Sequence, residues 1–209
     1  MNLLNPEVSE LLAGLPYASG HGASPGRVDG GIIYYALAAV QRAQVCVCLG
    51  SGGGFVPCLM RQAQRDLELA DSETYLVDAI LPEAGFGGPD IPGGWMDPKG
   101  TFGRFYTDII VLSCLTEEAG RGFFAKNRVQ IDFLHIDADH SFQSALGDFN
   151  TYLPLLSPRA IVTFHDTNTD DLQRVLTHVQ EVQTEFQLFD MPDFGTGLAI
   201  LRRTQKGTW

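Results

Sequence analysis

Two short segments that contain acids and histidines follow apolar runs of the sequence. Asp137, Asp139 and His140 follow one run, and Asp166 follows the next. If the two runs are neighbouring strands, Asp137 and Asp166 face each other, and two close carboxylates repel unless a cation lies between them. Oxygen ligands favour Mg²⁺ or Mn²⁺. The pattern therefore predicts a metal site at Asp137 and Asp166, with Asp139 either as a third ligand or as the N-cap of the following helix.

A general base is predicted beside this site. His140 lies in the first turn of the predicted helix, where the positive helix end and a divalent ion both disfavour the imidazolium form. We therefore expect a neutral imidazole that removes a proton from a substrate, the alternative being a histidine with a structural role alone. His165 is expected to orient Asp166 or to line a cofactor pocket. Local packing or hydrogen bonding is expected for His135, and His178 is expected to be inert on a helix surface.

A glycine-rich turn, Gly50-Ser51-Gly52-Gly53-Gly54, lies between a predicted strand and a predicted helix. Glycines let the backbone approach a ligand closely, and the helix start offers free N–H donors. Asp78 ends the next predicted strand, where a carboxylate accepts hydrogen bonds from both hydroxyls of an adenosine ribose. Turn and acid together fit NAD enzymes and S-adenosylmethionine enzymes alike. A turn without a ligand and a solvated strand-end acid stay open as alternatives.

Alternating strands and helices position these residues. The predicted strands are Val45–Leu49, Thr74–Val77, Asp108–Leu112, Asp132–Ile136, Ala160–Phe164, Phe186–Phe189 and Gly197–Leu201, the last two as an antiparallel pair. The predicted helices are Ile32–Val40, Phe55–Leu69, Thr116–Lys126, a stripe from Phe142 to Leu153 and a stripe from Leu172 to Val182. Buried strands without polar alternation indicate a mostly parallel sheet covered on both faces, which binds ligands beyond the carboxyl ends of its strands.

One segment, Ala79–Arg104, is rich in glycine and proline and is predicted to be a long loop rather than an element. It contains the apolar residues Phe86, Ile91, Trp95, Met96 and Phe102. Because structureless loops of this length are usually functional or disordered, we expect a lid that folds over a ligand and shapes the substrate pocket. Residues 1–31 are a glycine-rich lead-in, and the whole chain, 1–209, is expected to form one domain.

Composition limits the partners. The chain has 209 residues, a net charge of −11 and no basic stripe, which argues against a nucleic-acid substrate and favours a small molecule. No run approaches the roughly 18 apolar residues of a membrane span. The first residues lack the basic start and cleavage site of a signal peptide, so we expect a cytoplasmic protein. The sequence leaves a homo-oligomer open.

Four scattered cysteines contain no CxxC pair. Cys46 and Cys48 alternate with valines in an apolar run, which is typical of reduced thiols in a buried strand rather than of disulfides or a zinc site.

The segment IDFLHIDADHSFQSALGDFNTYLPLLSPRAIVTFHDTN, Ile131 to Asn168, resembles class I S-adenosylmethionine-dependent methyltransferases. Within them it is similar to the branch of macrocin-type and other metal-dependent O-methyltransferases that act on sugars or small molecules. Strand, acidic-histidine turn, helix, proline turn, strand and His-Asp pair follow one another as in that branch. The resemblance implies a Rossmann-like, doubly wound sheet of seven strands, mostly parallel, with an antiparallel C-terminal strand.

The resemblance also implies roles for individual residues. Gly50, Ser51, Gly52 and Gly54 would hold the methionine and adenosine parts of S-adenosylmethionine, together with Asp78 at the ribose and Asp137. The family's metal ligands match Asp137 and Asp166, with Asp139 as the further candidate, and its proposed base matches His140. The implied chemistry is methyl transfer to a hydroxyl of a small molecule, sugar or phenolic in type, with Mg²⁺ or Mn²⁺ lowering the pKa of that hydroxyl.

Two positions depart from the family's pattern. Cys48 stands two residues before the first glycine, where the family usually has an acid, and Thr167 follows Asp166, where relatives often have Asp or Asn. The changes remove a hydrogen-bond acceptor near the cofactor and a carboxylate or amide near the metal. They motivate a second hypothesis, a non-catalytic binding protein that keeps the fold. A third hypothesis, an NAD-dependent oxidoreductase, is disfavoured by the paired acids and the terminal strand pair.

Overall fold

The computed structural model describes residues 5–79 and 91–204, which form alternating helices and strands. The helices are α1 (Pro6–Ala13), α2 (Ile32–Gln41), α3 (Phe55–Asp66), α4 (Thr101–Phe105), α5 (Thr116–Glu118), α6 (Phe142–Tyr152) and α7 (Asp170–Val182). The strands are β1 (Val45–Leu49), β2 (Glu73–Val77), β3 (Ile110–Leu112), β4 (Ile131–Ile136), β5 (Leu156–His165), β6 (Phe186–Met191) and β7 (Leu198–Arg203). Over these ranges, every helix is too short or too polar to cross a membrane.

The seven strands form one sheet in the order β3-β2-β1-β4-β5-β7-β6. Strands β1 to β5 run parallel, and β7 runs antiparallel to its neighbours β5 and β6. The last residue of β1, Leu49, pairs with Val77 of β2 and with Ile136 of β4. The residues that follow these strands therefore meet at one edge of the sheet. The predicted doubly wound, mostly parallel sheet is confirmed.

Helices cover both faces of the sheet. On β1, Cys46 and Cys48 belong to the core that contains α2 and α3 side chains. Val47 and Leu49 belong to the opposite core, which contains side chains of α6 and α7. A strand buried on both faces has no polar side to alternate with, which is why its sequence is apolar throughout. The cysteines are free thiols, as predicted.

Several predicted elements differ from the observed ones. The predicted helix Thr116–Lys126 is a single α-turn, α5, followed by the π-helical turn Ala119–Phe124. The N-cap of α5 is Leu115, whose side chain makes no capping hydrogen bond, and the Thr116 hydroxyl donates to Asp148. Strand β5 begins at Leu156 rather than at Ala160, and its pairing with β4 shifts register between Ile131 and Phe133.

The N-terminal lead-in contains a helix that the sequence analysis did not predict. The side chain of Asn5 accepts a hydrogen bond from the backbone N–H of Glu7, and Pro6 occupies the first turn of α1. Asparagine as N-cap followed by proline is a strong helix start. Leu12 and Leu15 are buried in the core that contains α2 and α3, so the lead-in is part of the packed domain.

The segment Ala79–Arg104 is not a loop throughout, as the sequence analysis expected. Its last residues lie in α4, and Trp95 and Phe102 are buried in the core. A Cβ atom on Gly54 would lie 2.7 Å from the Phe102 ring, so this part of the segment packs against the start of α3. Phe86 lies outside the described residues. The role of the segment as a lid stays a prediction.

One buried glutamine links α3 to the sheet. The Gln64 side-chain amide lies 3.1 Å from the carbonyl oxygen of Ala43 and 3.0 Å from that of Glu73, and it donates to both. Its carbonyl accepts a hydrogen bond of 2.8 Å from the Thr74 hydroxyl. The amide therefore satisfies backbone and side-chain groups at the starts of β1 and β2 that water does not reach.

We predict that Gln64→Leu lowers the free energy of unfolding by about 2–3 kcal/mol, because it leaves buried carbonyls and the Thr74 hydroxyl without partners. Urea denaturation measures the change. Gln143→Leu, at an exposed position of α6, is the matched control and is expected to change stability by less than about 0.5 kcal/mol. An equal effect of the two substitutions would contradict this account.

A buried carboxyl ties α5 to α6. Asp148 is 6% exposed, and its Oδ1 accepts the hydrogen bond of the Thr116 hydroxyl. Burial raises the pKa of Asp148 to about 6, against the lowering effect of that hydrogen bond. Because the folded state raises this pKa above its unfolded value, ionisation of Asp148 destabilises the fold. The cost is absent at low pH and grows as the pH rises from about 4 through 6.

We predict that Asp148→Asn stabilises the protein at pH 7.5 by about 2 kcal/mol and has little effect at pH 4, because asparagine keeps the acceptor for Thr116 and cannot ionise. Thermal or urea unfolding at the two pH values measures the difference. Asn150→Ala, an exposed and non-titrating change on the same helix, controls for general effects on α6. A stabilisation that does not depend on pH would refute the explanation.

Candidate active site

A cavity of about 850 Å³ opens where the parallel strands end. It is lined by the glycine-rich turn after β1, by Asp78 after β2, by residues 137–140 after β4 and by Asp166 after β5. Residues 19–21 of the N-terminal segment close one side, and Leu115 and Thr116 lie at another. The polar residues that the sequence analysis placed at strand ends do converge, as a parallel sheet requires.

The glycine-rich turn forms one wall of the cavity. Gly50 and Gly52 have φ angles of +70° and +56°, a region that strains residues with a Cβ. A Cβ on Gly50 would lie 2.6 Å from the Cα of Ala138, and one on Gly52 would lie 2.9 Å from the Tyr17 ring. Glycine is therefore needed for the turn to pack directly against the end of β4 and the N-terminal segment. Gly54, another predicted cofactor residue, lies outside the cavity lining and contacts Phe102 instead.

Two polar groups of the cavity wall are placed to meet a ligand. The Ser51 side chain is 5% exposed, and its hydroxyl has no hydrogen-bond partner among residues 5–79 and 91–204. Such a buried group costs free energy unless something satisfies it. Asp78 directly follows β2, and its backbone N–H donates to the carbonyl of Leu112 in β3. Asp78 is among the residues that line the cavity, and its role at the ribose stays a prediction.

Asp137 is the centre of a cluster of imidazoles. Its carboxylate, 8% exposed, lies 2.9 Å from Nδ1 of His165 and 3.2 Å from Nε2 of His21. The ring of His140 is 3.3 Å away through Nε2, and that of His135 is 3.8 Å away through Nε2. Four of the five histidines of the chain thus surround one carboxylate.

The pKa values of the cluster follow from these contacts. Burial alone would raise the pKa of Asp137, but the positive charge of His165 and hydrogen bonds from its neighbours hold it well below its usual range. Burial would lower the pKa of His165, yet Asp137 and Asp166 raise it to about 10. Burial dominates at His135 and lowers its pKa to about 4. At neutral pH the centre holds an ionised carboxylate and an imidazolium.

His140 bridges the two carboxylates that the sequence analysis singled out. Its Nε2 lies 3.3 Å from Asp137 Oδ1, and its Nδ1 lies 3.0 Å from Asp166 Oδ2. The hydrogen bond to Asp137 raises the pKa of His140, against desolvation, and the charge of Asp166 raises it further. These contacts act against the neutral ring that the sequence predicts. The neutral form of His140 stays a prediction.

His21 is a member of the site that the sequence analysis missed. Its ring stacks on that of His165 with centroids 3.8 Å apart and planes 3° from parallel. Its Nδ1 lies 3.2 Å from the carbonyl oxygen of Tyr17. Tyr17 itself has a φ of +61°, a strained conformation for a residue with a side chain. No motif surrounds His21 in the sequence, so only the fold of the lead-in reveals its place.

Two neighbours of the predicted metal ligands turn away from them. Asp139 is exposed, and its Oδ1 accepts a hydrogen bond of 2.8 Å from the backbone N–H of Ser141. The N-cap of α6 is Ser141 itself, not Asp139. Thr167 is fully buried, and its hydroxyl donates to Asp190 over 3.2 Å. The substitution at Thr167 therefore does not change the lining of the cavity.

The other departure from the family pattern has a structural role. Cys48 is fully buried, and its thiol lies 3.0 Å from the carbonyl oxygen of Gly50, to which it donates. Burial raises the pKa of this thiol, so it stays protonated. Cys48 thus contacts the glycine-rich turn from the core and does not line the cavity.

Comparison with solved structures identifies similar folds. The O-methyltransferase from Bacillus cereus, solved in complex with SAH, superposes with a TM-score of 0.63 at 14% identity, over 82% of this chain and 79% of that one. The O-methyltransferase TomG from Streptomyces achromogenes, involved in tomaymycin synthesis and solved in complex with SAM, gives a TM-score of 0.62 at 14% identity, over 83% and 78%. At these identities the similarity shows a shared fold.

Sequence comparison adds a shorter and a longer match. A stretch of 37 residues is 46% identical to the uncharacterized protein y4gI of Sinorhizobium fredii (strain NBRC 101917 / NGR234), covering 18% of this chain and only 4% of that protein. A family described as a methyltransferase domain matches residues 47–167, which is more than half of the chain. The match runs from β1 through the glycine-rich turn to the residues after Asp166, so it contains most of the cavity wall. The chain therefore belongs to this family of methyltransferase domains.

Proposed function

We propose that the protein transfers a methyl group from S-adenosylmethionine to a hydroxyl of a small molecule, sugar or phenolic in type. The observation that carries the proposal is the cavity, in which a glycine-rich turn and a strand-end acid lie beside a histidine held by two carboxylates. Two proteins of similar fold were solved with SAH or SAM, and both are O-methyltransferases. The family membership supports the same reaction class.

The cavity wall fits the proposed cofactor. The Ser51 hydroxyl is an orphaned buried group that a polar ligand atom would satisfy. Gly50 and Gly52 expose backbone where a side chain would fill space. Asp78 would accept hydrogen bonds from the ribose hydroxyls, as strand-end acids do in nucleotide-binding sheets. When bound, S-adenosylmethionine supplies an electrophilic methyl group on a positively charged sulfur.

His140 is the proposed base. Its ring is 42% exposed at the cavity wall, so an acceptor hydroxyl can reach it, while Asp137 and Asp166 hold it from two sides. With the ring deprotonated, His140 takes the proton of the hydroxyl as the oxygen attacks the methyl group. The two carboxylates stabilise the imidazolium that results. Positioning of both reactants in the cavity would supply much of the rate enhancement.

The metal ion implied by the resemblance is not included in the proposed mechanism. Mg²⁺ prefers six oxygen ligands in near-octahedral geometry. Asp139 lies away from the other two carboxylates, bound to the N-terminus of α6. The oxygens of Asp137 and Asp166 face imidazole nitrogens. These imidazoles compete with an ion for the carboxylate oxygens, and Mg²⁺ or Mn²⁺ at Asp137, Asp166 and Asp139 stays a prediction of the sequence analysis.

The structure bears on the competing hypotheses. A non-catalytic binding protein was motivated by Cys48 and Thr167, and both side chains lie in the core with partners of their own. Membership of a methyltransferase family favours methyl transfer over NAD-dependent oxidation. We further propose that residues 1–209 act as one domain, with a small-molecule acceptor, no nucleic-acid or membrane partner and a cytoplasmic location. A homo-oligomer stays open.

We predict that the protein binds S-adenosylmethionine and that Asp78→Ala weakens this binding about 10- to 100-fold, because two hydrogen bonds to a charged acceptor are lost. Isothermal titration calorimetry measures the affinity. Asp193→Ala, in the turn between β6 and β7 and outside the cavity lining, is the control and is expected to bind like the wild type. No binding of S-adenosylmethionine or of SAH by the wild type would sink the proposed function.

We predict that His140→Gln lowers kcat about 10²- to 10⁴-fold and leaves cofactor affinity unchanged, because glutamine fills the site but accepts no proton. The assay uses S-adenosylmethionine with a labelled methyl group and a panel of hydroxylated sugars and phenols, with O-methylated product identified by mass spectrometry. His178→Gln, exposed on α7, is the control. Full activity of His140→Gln would show that His140 is not the base.

A further inference from the structure

We propose that the imidazoles of His21, His140 and His165 occupy the positions around Asp137 and Asp166 that a divalent metal ion would need, and that methyl transfer uses no divalent metal. The inference rests on the proposed function for its catalytic part. It goes beyond that function because it assigns a positioning role to His21 and His165.

The oxygens of Asp137 are already engaged. Oδ1 lies 2.9 Å from Nδ1 of His165 and 3.3 Å from Nε2 of His140. Oδ2 lies 3.2 Å from Nε2 of His21. Asp166 Oδ2 lies 3.0 Å from Nδ1 of His140 and 3.4 Å from Nδ1 of His165, which are ion-pair distances. An ion placed between the two carboxylates, where these rings lie, would have to displace the imidazoles.

Both nitrogens of His165 face groups that accept hydrogen bonds. Its Nδ1 lies 2.9 Å from Asp137 Oδ1, and its Nε2 lies 3.1 Å from the carbonyl oxygen of Gly20. In His21, Nδ1 lies 3.2 Å from the carbonyl oxygen of Tyr17. A carbonyl oxygen only accepts hydrogen bonds, so the nitrogen that faces it donates. A ring that donates from a nitrogen has no lone pair there for a metal ion.

Stacking excludes a shared ion between these two rings. A metal ion lies close to the plane of an imidazole that ligates it, because the nitrogen lone pair lies in that plane. The planes of His21 and His165 are parallel within 3°, and their centroids are 3.8 Å apart. The ligand atoms of His21, Asp137 and His165 lie within 4.8 Å of one another. The parallel rings nevertheless cannot direct their nitrogen lone pairs at the same ion.

The second group of candidate ligands, Asp137, His140 and Asp166, is bridged internally. His140 lies between the two carboxylates: its Nε2 contacts Asp137 in a hydrogen bond, and its Nδ1 lies 3.0 Å from Asp166 Oδ2, so the ring spans the gap that an ion would fill. One of the three candidate ligands is also a nitrogen, whereas Mg²⁺ takes oxygen ligands. The imidazole occupies the place where repulsion between the carboxylates predicted a cation.

His21 and His165 position the carboxylate of Asp137. His165 contacts Oδ1 of Asp137 and His21 contacts Oδ2, so the two rings hold the carboxylate in one orientation, and His21 brings the N-terminal segment to the end of β4. Removing either ring leaves the buried carboxylate of Asp137 with fewer hydrogen-bond partners to stabilise its charge. Such a carboxylate would bind an external cation more readily, which distinguishes this role from simple packing.

The first test measures metal dependence on the whole protein. Protein treated with EDTA and dialysed is titrated with Mg²⁺, Mn²⁺ and Zn²⁺ by calorimetry and by thermal unfolding, and its turnover is measured with and without EDTA. We expect no saturable binding below about 1 mM, an unchanged midpoint of unfolding and turnover unchanged within about twofold. Loss of turnover in EDTA with recovery in Mg²⁺ or Mn²⁺, or tight binding of any of the three ions, would overturn the inference.

The second test uses His21→Gln and His165→Gln, with His178→Gln as the control. Each cluster variant is expected to lose about tenfold or more in kcat with S-adenosylmethionine affinity within about twofold of the wild type, and added imidazole is expected to restore part of it. Each is also expected to gain a Mg²⁺-dependent rise in its unfolding midpoint. If the variants lose kcat and neither imidazole nor Mg²⁺ changes their behaviour, the two rings have a structural role alone, which would contradict the positioning role. If the wild type does not bind S-adenosylmethionine, the proposed function is wrong. The metal titrations would still test whether the cluster binds a divalent ion.

Discussion

The buried carboxylate of Asp137 is the interaction on which the rest of the site depends. A charge that is 8% exposed is costly unless it is paired and hydrogen-bonded, and here the partners come from three separate parts of the chain. His21 comes from the lead-in, His140 from the turn that precedes the N-cap of α6, and His165 from the end of β5. Satisfying one charge therefore fixes the position of the N-terminal segment relative to the sheet edge.

The sheet explains why this charge and the cofactor wall share one cavity. Strands β1, β2 and β4 end at the same level, so Gly50, Asp78 and Asp137 follow them side by side. The glycine-rich turn packs against the backbone that carries Asp137, which only glycine allows at Gly50. His140, held by two carboxylates, thus lies beside the surface that would bind the methyl donor. Methyl transfer needs the base and the donor to be close together.

Much of this was predictable because strand order obeys simple rules. The apolar runs and their polar ends predict the parallel sheet, the place of Asp78 and the meeting of Asp137, His140 and Asp166. His21 was not predictable, since it is 116 positions from Asp137 and belongs to no periodic pattern. The contacts of His140 with two carboxylates, which raise its pKa, were not predictable because they arise only in the folded chain. The π-helical turn after α5 and the burial of Trp95 likewise depend on tertiary packing.

The protonation of His165 tests the account most directly, because its contacts with Asp137 and with the carbonyl oxygen of Gly20 require both ring nitrogens to donate, which leaves neither for a metal ion. Nitrogen NMR of protein labelled with ¹⁵N in histidine reports each ring nitrogen separately at pH 7.5, and the variant His165→Gln assigns the signals. We expect both nitrogens of His165 to carry protons, with and without Mg²⁺. An unprotonated ring nitrogen on His165 at this pH, or a signal that shifts as Mg²⁺ binds, would contradict the account.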